Sequence, residues 1–175
     1  HVFYEVIERI DKAIQARFNW CLIDVLCAEE SVSRLEEIDV VQPCLFAIQV
    51  ALAALWQSWG ITPDAVIGHS MGEIAAAYIA GILTLEDAIQ IVCYRSQLLK
   101  GLHGKGKMMV TELSPYQAKQ LLKPYGNDIT IAVINSPTST VLSGNPEKIN
   151  EVMNFLQRQN LFCKLVNVDV ASHSP

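Results

Sequence analysis

Ala65-Val66-Ile67-Gly68-His69-Ser70-Met71-Gly72-Glu73 reads as a short buried strand, a sharp turn and the start of a helix, with a serine at the apex of the turn. The pattern Gly68-His69-Ser70-Met71-Gly72 fits the G-x-S-x-G nucleophile elbow, in which a strained backbone lifts the serine hydroxyl clear of its neighbours. Such a turn needs small residues two positions before and after the serine, so that strand and helix pass closely, and Gly68 and Gly72 meet that need. A serine before a helix N-terminus also lies where free N–H groups favour developing negative charge. The backbone N–H of Met71 is the expected oxyanion donor. The plainer reading is a glycine-rich turn with an incidental serine, and the flanking strand and helix favour the nucleophile.

The rest of the chain bounds what such a serine can serve. The 175 residues are 51% hydrophobic and 18% charged, which is the balance of a folded chain with one core and room for a small second lobe. A net charge of −5 provides no basic footprint for nucleic acid. The longest apolar run, 45–56, is broken by Gln49 and is short for a bilayer span, and no N-terminal signal pattern is present, so the expectation is a cytoplasmic protein with no membrane contact. Cys21, Cys27, Cys44, Cys93 and Cys163 lack paired spacing and sit among apolar neighbours, as reduced thiols do. No histidine shares ligand spacing with a cysteine or carboxylate, so no metal is expected. The chain starts without Met inside a helical pattern and stops at Pro175, which reads as a piece of a longer polypeptide lacking both flanks.

The first hundred residues read as helices around one short strand. Helices are expected over 2–18 and from Gln42-Pro43, with Pro43 at the first helical position and a stripe of Leu45, Ile48, Leu52, Leu55, Trp56 and Trp59 ending at Gly60. Ala75-Ala76-Ala77 makes the helix after the elbow narrow enough to pack close to a sheet. Thr84 with Asp87 resembles a capping box for a helix running to Leu99. On that helix Arg95 falls within the apolar stripe Ala88, Ile91, Val92, Leu98 and Leu99. A cation on a core face must be paired. Spacing alone leaves open whether Arg95 is a structural arginine or a planar fork waiting for a carboxylate.

After a Gly- and Lys-rich connector at 103–107, strand, helix, strand, strand, helix and strand follow at 108–112, 114–123, 129–135, 140–143, 146–159 and 161–169, the ferredoxin-like split order. Asn135-Ser136-Pro137 and Gly144-Asn145-Pro146 supply turns. The expected organisation is a partial lobe with the elbow at 1–104, a small lobe at 105–169, and a return segment at 170–175 carrying the base. A serine needs that base. His69 is fixed inside the turn, His103 sits in the connector and His1 is terminal, so His173 is the best candidate by elimination, with Asp169 or a backbone carbonyl to orient it.

Taken together, Gly68-His69-Ser70-Met71-Gly72-Glu73, Arg95, Gln42-Pro43 and Val170-Ala171-Ser172-His173-Ser174 resemble the malonyl-CoA:acyl carrier protein transacylase family, specifically the acyltransferase domain of a modular polyketide synthase. The resemblance spans essentially the whole chain. It implies an α/β fold: an α/β-hydrolase-like large lobe with an inserted ferredoxin-like small lobe. It implies Ser70 as the acylated nucleophile, His173 as base, Arg95 as the seat of the acyl group's free carboxylate, and Gln42 and Asn135 as pocket-lining positions. No bound cofactor is implied: acyl-CoA is a substrate, phosphopantetheine rides on an acyl carrier protein, and ketosynthase is a neighbouring domain. Ser172, small where an aromatic residue goes with malonyl, points to methylmalonyl, while Val170 departs from the usual Tyr or His. The Gly-Gln-Gly segment that supplies a second oxyanion donor, and the part whose carbonyl orients the histidine, have no counterpart in these residues. A serine esterase or thioesterase and a truncated structural domain are the rival readings. Arg95 argues against the first, and intact Ser70, His173 and Arg95 argue against a degenerate domain.

Overall fold

The computed structural model describes residues 1–102, 104–166 and 170–174. His103 and Asp169, both weighed above, lie outside them, as does the end of the expected 161–169 strand. The chain divides into two units, His1–Gly101 and Leu102–Pro175, each with its own hydrophobic cluster.

The first unit is helical: α1 (Val2–Phe18), α2 (Leu22–Leu26), α3 (Ile38–Ser58), α4 (Gly72–Ile79) and α5 (Leu85–Lys100). α1 buries Ile7, Ile10 and Ile14 at helical spacing. Asp11, on the same face, accepts hydrogen bonds from Leu22 N at 2.7 Å and Gln15 Nε2 at 2.6 Å, and so caps the start of α2 from a distance. α3 is the central post, packed against α1, α4 and α5. By length and composition alone it could cross a membrane, but Val40, Phe46, Ala47, Val50 and Ala51 are buried in the core of this unit. Each fully buried side chain of the size of Phe46 or Val50 contributes about 1.5–3 kcal/mol relative to exposure.

Three expectations for this unit are corrected. α3 begins at Ile38, so Pro43 is inside the helix, not at its first position. Its buried residues are Val40, Pro43, Cys44, Phe46, Ala47, Val50 and Ala51, while Leu45, Leu52, Trp56 and Trp59 are exposed. A helix that is apolar all round gives periodicity nothing to choose between. Residues 65–67 form no strand, and Ile67 is 95% exposed. Strand pairing needs a neighbouring strand to accept its N–H groups, and the described residues of this unit include none. The narrow α4 accordingly packs on α3 and α5 instead of a sheet.

The second unit is a four-stranded sheet with two helices: β1 (Lys107–Thr111), α6 (Pro115–Leu122), β2 (Ile129–Ser136), β3 (Ser139–Gly144), α7 (Pro146–Arg158) and β4 (Cys163–Leu165). The strand order is β2-β3-β1-β4, antiparallel throughout. The order of elements is the β-α-β-β-α-β read from the sequence. α6 starts with a full capping box between Ser114 and Gln117, and α7 starts with Asn145 accepting from Glu147 N at 2.9 Å and Lys148 N at 3.2 Å. Ile149, Val152 and Leu156 of α7 pack on Met109, Ile129 and Leu142 of the sheet. On that same sheet face, Thr111 and Thr140 stand directly opposite each other, buried, with their hydroxyls 3.1 Å apart. β2 runs on to Ser136 with two register shifts, so Asn135 belongs to the strand, not to the turn, and is left unpaired at the second shift.

Candidate active site

Ser70 has φ 53°, a left-handed backbone that a serine adopts only when its surroundings impose it. Two features impose it. A Cβ at Gly68 would lie 2.5 Å from the carbonyl carbon of Gly72 and closer still to N and Cα of Glu73, so the chain entering the turn touches the chain leaving it. Short bonds then tie the turn together: Gly72 N to His69 O at 3.0 Å, Glu73 N to Ser70 O at 3.1 Å, and Ile74 N to Met71 O at 3.1 Å. The elbow is therefore present in its backbone geometry. The requirement for glycine falls on Gly68 alone, because a Cβ at Gly72 would meet only Gln49 Nε2 at 4.0 Å. Met71 caps α4, and its N–H is used by none of those three bonds.

His69 helps line an open, mainly apolar cavity of about 670 Å³ with Gln49, Trp56, Val66 and Ala76. Gly68 and Gly72 of the elbow also line it, whereas Ser70, Gln42 and Arg95 do not.

Arg95 stands half-buried on α5, at the flank of the buried face Leu85, Ala88, Ile89, Val92, Cys93 and Ser96. Of the stripe residues expected around it, Ile91 and Leu98 are exposed and Leu99 is partly buried. This corrects the core-face placement and answers how the guanidinium is satisfied: its NH1 donates to Gln42 Oε1 at 2.6 Å, across 53 residues of sequence. Two residues singled out separately in the sequence are thus in direct contact. The amide oxygen is neutral, so it satisfies a donor and orients the fork without cancelling the charge. The next cation of α5 is used differently, with Lys100 Nζ held by Glu37 at 2.8 Å and Asp39 at 3.0 Å. Cys44 and Cys93, close in sequence to Gln42 and Arg95, stay neutral because burial pushes their thiols up to about 11 and about 12.

In the second unit, Val170 is 1% exposed and anchors a turn in which Ser174 Oγ donates to Ala171 O at 2.6 Å. His173 is exposed within that turn at φ 59°, with Ser172 partly buried beside it. A Cβ at buried Gly106 would lie 2.7 Å from Ala171 Cα and closer still to its N and Cβ. Gly106 is a contact that no local signal announces, since its glycine-rich surroundings read as a connector. Asn135 is exposed on β2 in the same unit. The arrangement pairs Gln42 with Arg95 in one unit and sets Ser172 and His173 in one turn in the other. Among the described residues, no group of three or more His, Cys, Asp or Glu could hold a metal ion.

Residues 1–175 match the acyl transferase domain family. The chain is 44% identical over 172 residues to mycoketide-CoA synthase of Mycobacterium tuberculosis, covering 98% of this chain and 4% of that protein. It is likewise 44% identical over 179 residues to polyketide synthase GfsA of Streptomyces halstedii, covering 99% of this chain and 2% of that protein. Among solved structures, the acyltransferase domain from module 8 of the salinomycin polyketide synthase superimposes with a TM-score of 0.93 at 38% identity, covering 99% of this chain and 41% of that one. The chain therefore spans a small part of these synthases and less than half of that solved chain.

Proposed function

Since the chain belongs to the acyl transferase domain family, with polyketide synthase acyltransferase domains as its relatives, we propose that it moves a malonyl-type extender unit from CoA to an acyl carrier protein. Ser70 Oγ attacks the thioester carbonyl while His173 takes its proton, and the oxyanion is held by backbone donors that include the Met71 N–H. The CoA thiolate leaves with the proton returned from His173. The phosphopantetheine thiol of the carrier protein then attacks the acyl-serine, with His173 again as base, and Ser70 is restored. Arg95, oriented by Gln42, receives the free carboxylate of the extender bidentately. In this reading the helical unit is part of an α/β-hydrolase-like lobe, the sheet unit is the ferredoxin-like lobe, and a neighbouring ketosynthase consumes the loaded carrier in the cytoplasm.

The observation that carries the reading is the positive φ of Ser70 on a turn closed by Gly68, since that backbone exposes a serine for covalent chemistry. A hydrolase shares this elbow, and the half-buried, charge-bearing Arg95 favours transfer of a dicarboxylic acyl group instead. Ser172 leaves volume for an α-methyl branch. One methyl group is worth about 1–3 kcal/mol, so a methylmalonyl preference with measurable malonyl transfer is expected.

The test is covalent. Incubating the full polypeptide with equal malonyl- and methylmalonyl-CoA should add one acyl mass to the Ser70 peptide, mostly methylmalonyl. Labelling that survives Ser70→Ala overturns the nucleophile, and a strong malonyl excess overturns the Ser172 argument. Arg95→Ala should depress malonyl-type transfer and spare acetyl transfer, whereas equal losses would make Arg95 structural.

A further inference from the structure

We propose that Gly106 is a positioning residue for His173: lacking a side chain, it lets the chain ahead of β1 lie directly on the backbone of Ala171, two residues before the histidine. The inference rests on the reading of His173 as the base.

The contact is one of space, not of backbone conformation. Gly106 is absent from the positive-φ positions of the chain, whereas Gly104, two residues earlier, has φ 75° with open space where its Cβ would stand. At Gly106 the atoms that a Cβ would meet are N, Cα and Cβ of Ala171, and none of them is the end of a flexible side chain that could swing aside. Relief has to come from moving the segment itself. On one side of Ala171 that segment is fixed by Val170, whose side chain is fully buried. On the other, the Ser174 hydroxyl closes the turn onto Ala171 O at 2.6 Å, which makes Ala171 to Ser174 one tight unit. A push on Ala171 is therefore passed to His173, which already holds a left-handed φ of 59°. Gly106 is buried and leads straight into β1 at Lys107, so the histidine turn is referenced to the central strands of the sheet unit, β1 and β3. General-base catalysis is sensitive to such placement, because a shift of about 1 Å costs on the order of 100-fold in rate.

The experiment compares Gly106→Ala, Gly104→Ala and His173→Ala in the full polypeptide, reading kcat and KM for acyl-CoA together with the thermal midpoint of each variant. Gly106→Ala is expected to lower kcat about 100-fold with KM within about twofold. Gly104→Ala, strained by its positive φ but touching nothing, should keep kcat within about threefold with a modest loss of thermal stability. A kcat for Gly106→Ala within about threefold of the parent overturns the proposal, as does a kcat that falls in step with the melting temperature across both glycine variants. If Gly106→Ala does not fold, Ala171→Val adds bulk to the same contact from the other side and carries the same expectation. His173→Ala separates the two levels. Retained acylation there removes the base itself, whereas loss there with full activity in Gly106→Ala removes only the positioning role.

Discussion

In the sheet unit, each strand finds its partners among the residues of that unit and both helices fold an amphipathic face onto it. In the helical unit, residues 61–69 form neither helix nor paired strand, and Ile67, Trp59, Ile82 and Leu98 turn large apolar surfaces outward. The difference follows from how backbones are satisfied. A helix closes its own hydrogen bonds and can stand with one face uncovered, whereas an extended segment depends on neighbours. The close approach at Gly68 and the start of α4 both order the elbow. The His173 turn, by contrast, is tied to a sheet whose described strands are all paired.

That contrast can be attacked at its sharpest point first. Gly68→Ala forces apart the two arms of the turn and should lower acylation of Ser70 by more than about 100-fold, read by the mass of the Ser70 peptide. Gly72→Ala, with room for its Cβ, should cost little and firm up the helix start. Equal losses would mean that the turn depends on both glycines. The next largest effect is on stability. Leu142→Ala, at the centre of the sheet, should cost about 2–5 kcal/mol in urea unfolding followed by circular dichroism. Leu98→Ala, 75% exposed on the helical unit, should stay within about 0.5 kcal/mol. A large loss for Leu98→Ala would show that this outward surface is covered in solution.

The smallest effect is electrostatic. Arg34 and Lys100 hold the Glu37 carboxyl down to about 2 from its ordinary 4.5. A folded-state value below the unfolded one gives stability that is present above about pH 4.5 and is lost as pH falls toward 2. The pair is partly solvent-exposed, so screening leaves about 1 kcal/mol or less. Glu37→Gln should therefore destabilise the chain by up to that amount at pH 7 and by a steadily shrinking amount as pH falls from about 4.5 toward and below 2, measured by denaturant midpoints. A constant difference across the range would trace the effect to packing.

Legibility followed the same division. α7 sets Ile149, Val152 and Leu156 at helical spacing opposite polar residues such as Lys148, Glu151 and Asn154, and Ser114, Asn145 and Pro146 punctuate the sheet unit where local chemistry demands, so its order is readable residue by residue. α3 carries apolar residues on every side, and its periodicity pointed to Leu45, Leu52 and Trp56 when the core lay at Val40, Cys44 and Ala47. The 65–67 strand failed because pairing is not a local property. Within the site, Ser70 announced itself through its turn. Gln42 and Arg95 were each legible, but their 2.6 Å bond joins two helices and was not. Gly106 and Ala171 are 65 positions apart with no side chain between them to leave a pattern.

The buried pair Thr111 and Thr140 acts as a proofreading mark for the sheet. Sliding β1 by one residue against β3 is punished at once, because every side chain changes face. Sliding by two preserves all faces and would pass that check. It would also bring Thr111 opposite Leu142 in place of Thr140, stranding two hydroxyls away from water at about 1–3 kcal/mol each. Two polar atoms 3.1 Å apart thereby exclude the misaligned sheet that hydrophobic patterning alone would accept.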